Sequence, residues 1–208
     1  ANTDNPGYGV SGSISPEGTF LLGGAGWYPR LPGRADSFEL TVSAPAGILA
    51  VTAGHDLGAE TRGGRTLSRW KIDQPLEGLA LSAGPYQVMR RTAGGLSAAV
   101  YLFPANRDLA DAYLDASLEY MARYQDRFGP YPFPQFAVVE NFFPTGYGFP
   151  GYTLMGGRVL RLPFILSTSL GHEIAHCWWG NGVYVDPRGG NWSEGLATYV
   201  ADYHFREL

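Results

Sequence analysis

The chain has 208 residues, a formal net charge of −4 and 16% charged residues, well below the ~25% of an average globular domain. That balance excludes the basic face of a nucleic-acid binder. No apolar run reaches the ~18–20 residues of a membrane span, and the single Cys177 excludes an internal disulfide. Glycine is abundant, at 29 residues, which fits short strands and packed turns more than long surface helices. Ala1-Asn2-Thr3-Asp4 opens on polar residues. The expectation is a cytoplasmic protein, or one from which a leader or anchor has been removed.

Residues 1 to 104 read as β. Val10 to Ser15 alternates, Pro16-Glu17-Gly18 turns, and Thr19 to Leu22 returns, the pattern of a hairpin. Ser37 to Val42 alternates at period two, with Phe38, Leu40 and Val42 on one face. Further strands are expected over 48–51, 67–72, 86–90 and 96–103, the last two around Gly94-Gly95. Strands at ~8–15-residue spacing with Gly and Pro between them indicate an antiparallel sandwich or saddle.

The pattern changes at Pro104. Asn106 is expected to cap a helix whose first turn carries Asp108 and Asp111. Leu109, Tyr113, Ala116, Tyr120 and Tyr124 form its apolar stripe, and Gly129-Pro130 ends it. Phe136 to Val139 reads as a buried strand, 141–151 as a loop, and 156–162 as another strand. Ser167-Thr168-Ser169 offers caps for a helix running to about Trp179. A second helix starts near Ser193, and the chain reaches Leu208 without a helix stop, so further helices are expected beyond it. The fold class is α+β, with domains expected over 1–104 and 105–208.

The second half carries His172-Glu173-Ile174-Ala175-His176. Residues four apart lie on one helix face, ~5–6 Å apart, so His172 and His176 aim at one point. Glu173 lies about 100° round the helix, placed to reach a water at a metal rather than the metal itself. A catalytic zinc takes three protein ligands and keeps one position open. Glu194, with 17 residues between it and His176, is the leading third ligand. The surrounding helix is apolar (Ile174, Ala175, Cys177, Trp178), so the polar residues face a site.

Together, His172 to Asn181 and Asn191-Trp192-Ser193-Glu194-Gly195-Leu196-Ala197-Thr198-Tyr199 resemble the gluzincin zinc peptidases of the aminopeptidase N family. Arg127 to Pro132, Trp27-Tyr28-Pro29 and Leu79 to Gly84 resemble that family less specifically. The resemblance implies a thermolysin-like α/β zinc-binding lobe after the β domain. It implies one Zn²⁺ per chain held by His172, His176 and Glu194, with Glu173 as general base and a peptide or protein as substrate. It also implies an oxyanion-stabilising tyrosine past Leu208.

Two features depart from the family. The spacing between His176 and Glu194 is one residue short. Phe149, in Gly146-Tyr147-Gly148-Phe149-Pro150, stands where family aminopeptidases place the glutamate that holds the substrate's free amino group. Glu140 is the nearby acid able to replace it. Exopeptidase, endopeptidase and non-peptide hydrolase readings therefore stay open. So does a catalytically silent zinc-binding interaction module, against which the intact Glu173 argues. Asp202 is expected to hydrogen-bond a ligand histidine. Tyr147 and Tyr152 either line a groove or pack in the core. Cys177 is expected buried and inert, His55 exposed in a loop, and His204 uninvolved.

Overall fold

The computed structural model describes residues 11–29, 37–76 and 78–206, and the side chains of all of these except residues 187 and 204–206. Val10 and Leu208 thus lie outside the described residues, as does the side chain of His204. The elements in chain order are β1 (Gly12–Ser15), β2 (Gly18–Leu21), β3 (Phe38–Pro45), β4 (Leu49–Val51), β5 (His55–Arg62), β6 (Arg65–Ile72), β7 (Leu81–Gly84), β8 (Gln87–Ala93), β9 (Leu96–Leu102), α1 (Ala110–Phe128), β10 (Phe136–Asn141), β11 (Gly146–Phe149), β12 (Tyr152–Gly156), α2 (Gly157–Leu160), α3 (Ser169–Ala175) and α4 (Trp192–Arg206). The protein is mixed α and β, with antiparallel sheets through its first part.

Three sheets form. Two are antiparallel, in the orders β1-β2-β7-β4 and β3-β6-β5. The third has the order β11-β12-β10-β9-β8, with β9, β10 and β12 parallel and the two edges antiparallel. The β8–β9 turn uses Gly94 and Gly95 at φ 56° and 80°. Both must be left-handed for a two-residue turn that matches strand twist. The boundary expected at residue 104 falls inside this sheet, between β9 and α1.

The third sheet is buried on both faces. Ala98, Val100, Phe136, Val138 and Met155 face one core with α1 and α3. The alternating residues Ala99, Tyr101, Ala137, Val139 and Leu154 face a second core shared with Phe20, Val51 and Trp70. Parallel strands covered on both sides read as continuous apolar runs, which is why Phe136 to Val139 was legible as a buried strand.

Four expectations change. Asn106 lies in a 3₁₀ turn over Pro104–Leu109, and α1 starts later, at Ala110. Its amide is buried, donating to Glu140 Oε1 at 2.6 Å and accepting from Arg161 Nε at 2.6 Å. Residues 146–149 form the edge strand β11 within the expected loop. The strand expected over 156–162 is instead β12, ending at Gly156, and the single turn α2. Tyr113 secures that turn by donating to the Leu160 carbonyl at 2.8 Å. Finally, His55 begins strand β5, though it is exposed as expected. The rest of β5 is largely exposed too, so it carries no apolar alternation that a sequence reading can detect.

Leu154 has no exposed surface, whereas Leu57 on β5 is 54% exposed. Leu154→Ala should lower stability by roughly 2–5 kcal/mol. Leu57→Ala should change it by no more than about 0.5 kcal/mol. Denaturant unfolding of the two variants checks this contrast.

Candidate metal centre

The site begins with how α1 seats α3. Gly171 packs directly on the α1 stripe: an added Cβ would stand 2.6 Å from Tyr120 Cε1. Tyr124 donates its hydroxyl hydrogen to the Gly171 carbonyl at 3.2 Å. A helical glycine costs ~1 kcal/mol relative to alanine, and here it permits the close approach. The next residue is His172, so this contact sets where the first imidazole projects. Ser167 and Thr168 do not cap α3 as the sequence suggested; both hydroxyls bond back to the Phe164 carbonyl.

α3 ends at Ala175, and His176 is its C-cap. The chain then doubles back through Gly180, at φ 107°. Gly180 N bonds the Val183 carbonyl and Val183 N bonds the Trp178 carbonyl, both at 2.8 Å. This turn presents the Trp179 carbonyl to His176 Nδ1 at 3.0 Å. A carbonyl can only accept, so Nδ1 carries the proton and the Nε2 lone pair of the neutral ring is free. The Trp178 indole donates to the Gly129 carbonyl at 3.1 Å and packs edge-on to Tyr124 and Tyr131. The Trp-Trp-Gly-Asn run after the second histidine is thus a positioning device.

α4 delivers Glu194 in its first turn. His172 Nε2 lies 3.3 Å from one Glu194 oxygen, and His176 Nε2 lies 3.4 Å from the other. The two Nε2 atoms are 3.0 Å apart. The structure therefore brings together His172, His176 and Glu194, the three residues singled out from spacing. They form a group able to hold a metal ion among the described residues. At these separations either a shared proton or a divalent cation satisfies the three atoms. Two imidazole nitrogens and a carboxylate are a donor set suited to zinc. Burial, helped by His176 and opposed by Glu194, lowers the pKa of His172. The ring is thus neutral near pH 7, the form that ligates.

Glu173 lies beside this cluster in a cavity of ≈ 580 Å³ whose walls include Tyr147, Gly148 and Asn181. Burial raises its pKa, partly opposed by His176, toward the range where a carboxylate exchanges protons efficiently at neutral pH. Gly148 on β11 faces it: an added Cβ would stand 2.7 Å from Glu173 Oε2. The bare glycine backbone is what makes room for this carboxylate; the sequence marked the Gly146–Pro150 segment through Phe149, not through Gly148.

The other candidates separate clearly. Phe149 turns to the opposite side of β11 and stacks on Tyr152, ring centroids 4.8 Å apart. Glu140 is not in the metal cavity. It is 3% exposed, accepting from Phe103 N at 2.8 Å and from Asn106. Asp202 acts on His172 through charge, while the atom near His172 Nδ1 is Thr198 Oγ1, at 3.5 Å. Tyr147 lines the cavity and Tyr152 is buried in the core. Cys177 is fully buried, accepts from the Tyr131 hydroxyl at 3.3 Å, and has its pKa pushed up to about 12 by burial.

No protein-family model matches the chain. Among curated proteins it is similar to endoplasmic reticulum aminopeptidase 1 of Mus musculus, at 29% identity over 130 residues. The corresponding proteins of Rattus norvegicus and Homo sapiens are 30% and 28% identical over 126 residues. Each match covers 54% of this chain and 13–14% of the relative. The chain is thus distantly related to aminopeptidases and spans a small fraction of their length.

Gly148→Ala should push the Glu173 carboxylate from its seat while leaving His172, His176 and Glu194 in place. The expected result is a displaced Glu173 side chain with the His172–His176–Glu194 separations unchanged, read from a crystal structure of the variant.

Proposed function

We propose that this chain carries the catalytic centre of a zinc-dependent metallopeptidase in which Glu173 is the general base. The observation that carries the reading is the convergence of His172, His176 and Glu194 within bonding reach of one point, with the half-buried Glu173 carboxylate beside them. His172, His176 and Glu194 would hold the ion. When bound, zinc would supply Lewis acidity, lowering the pKa of water towards ~7 and polarising a carbonyl. Glu173 accepts the proton of the attacking water and returns it to the departing amine. The Trp179 carbonyl keeps the His176 ring in its ligating tautomer. The α3–α4 pair on the sheet β8–β12 then corresponds to a thermolysin-like lobe following an N-terminal β domain. The distant aminopeptidase relationship supports a peptidase-like activity of this kind.

The lining of the cavity favours a particular substrate. Its acidic residues among the described ones are Glu173 and Glu194, and both already have roles. Phe149 and Glu140, the two positions considered for an amine anchor, lie elsewhere. Among the described residues, the cavity thus offers a free substrate ammonium no further carboxylate. We read the preferred substrate as an internal or N-blocked peptide bond.

Glu173→Gln should retain about one zinc per chain while turnover falls by roughly 10²–10⁴-fold. Full activity in that variant would sink the mechanism. In the unmodified protein, N-acetylated peptides should be cleaved at least as fast as their free-amino counterparts. Strict dependence on a free amino terminus, read by mass spectrometry of the products, would restore the exopeptidase reading.

A further inference from the structure

A second cleft, larger than the metal cavity at ≈ 960 Å³, opens beyond the carboxyl ends of the parallel strands β9, β10 and β12. Crevices at this end of parallel strands are the usual ligand positions of α/β sheets, and the volume is that of a small-molecule site. Its lining comes from five pieces: β1 and its turn to β2, Phe103 just after β9, Asn106 in the 3₁₀ turn, the segment from Glu140 to Pro144, and α2 with the following Arg161.

The chemistry of that lining is specific. Ile14, 72% exposed, stands with Phe103 and Phe142 as apolar surface in the cleft. The deep polar groups are already used. Glu140 is satisfied by Phe103 N and Asn106, and Arg161 is tied to Asp108, Asn106 and the Ala105 carbonyl. Two charges are not. Arg158 on α2 lines the cleft with no acidic partner among the described residues, and Glu17 on the β1–β2 turn lines it with no basic one. The Ser15 hydroxyl beside Glu17 holds that carboxyl below its usual range, so it is ionised at neutral pH. Asn141, also in the lining, is 2% exposed, and its Nδ2 finds no acceptor among the described residues. That nitrogen is sealed from the cleft, so the groups a ligand can reach are Glu17 and Arg158.

We infer that this cleft binds a small zwitterion with an apolar side chain, a short peptide with both ends free. Its ammonium meets Glu17, its carboxylate meets Arg158, and its side chain lies on Phe103, Phe142 and Ile14. The inference does not depend on the metallopeptidase reading, since no residue of the metal cavity takes part.

The test is calorimetric titration of the Glu173→Gln protein, which prevents turnover, with the dipeptide leucyl-phenylalanine. Its N-acetyl and C-terminal amide forms are titrated in parallel. The free dipeptide should bind with one-to-one stoichiometry, and either blocking group should weaken binding about tenfold. Arg158→Ala should abolish the discrimination against the amide, and Glu17→Ala that against the acetyl form; both residues lie at exposed positions where folding tolerates the change. Two results would overturn the assignment. One is absence of binding. The other is binding that ignores Arg158 and Glu17 but disappears with Glu194→Ala, which would put the peptide in the metal cavity. Because turnover is read in the unblocked enzyme and binding here, failure of one reading leaves the other measurable.

Discussion

The contact on which the rest of the site depends is that of Gly171 with Tyr120 and Tyr124. An α-helix can place two histidines on one face by spacing alone, but spacing does not say where that face points. The position of α3 comes from α1, whose rings fill the space that a side chain at 171 would take. The hydroxyl of Tyr124 reaches the backbone one residue before His172. Trp178 extends the same aromatic layer to Tyr131 and Phe128. The bulk of this layer fixes α3, and the turn through Gly180 then fixes the second imidazole.

The sheet supplies the complementary constraint. Strands β9, β10 and β12 bury side chains on both faces, so they form a plate between the helical layer and the N-terminal sheets. β11 is attached to the edge of this plate, antiparallel to β12, and Gly148 on it approaches the Glu173 carboxylate. The base is thus held between a helix positioned by aromatic packing and a strand positioned by backbone pairing. The helix was legible from its histidine spacing, whereas the approach of Gly148 on β11 to Glu173 was not.

What the sequence disclosed follows from the range of each interaction. The histidine pair and its following glutamate were legible because ligation imposes a residue type at a spacing, and the apolar stripe of α1 because burial imposes a period. β5 was not legible, since both its faces are largely exposed and no alternation marks it. β11 was not, because Gly146 and Gly148 read as loop while the pairing that makes them a strand comes from β12. Asn106 looked like a helix cap, since its short polar side chain suits one. Its partner Glu140 lies 34 residues away, beyond anything local pattern can show. The division at residue 104 followed a change of period, whereas the sheet pairs β9 with β10 across it.

Two carboxylates beside Arg161 respond oppositely to protons. The Arg161 hydrogen bonds hold Asp108 below the ordinary range. Glu140, near the same guanidinium, is instead raised by burial, which outweighs the hydrogen bonds from Phe103 and Asn106. Proton linkage assigns opposite signs to the two. Asp108 contributes stability that is present above its unfolded pKa and lost as the solution is acidified through its folded one. Glu140 contributes stability that is present below its unfolded pKa and fades as the pH climbs through its raised folded value. The two windows do not overlap: Glu140 sheds its desolvated charge first as the pH falls through its raised value, and Asp108 is protonated only in stronger acid, below its ordinary range. The junction between β10, α2 and the turn before α1 is thus strained at one carboxylate on the alkaline side and at the other on the acid side.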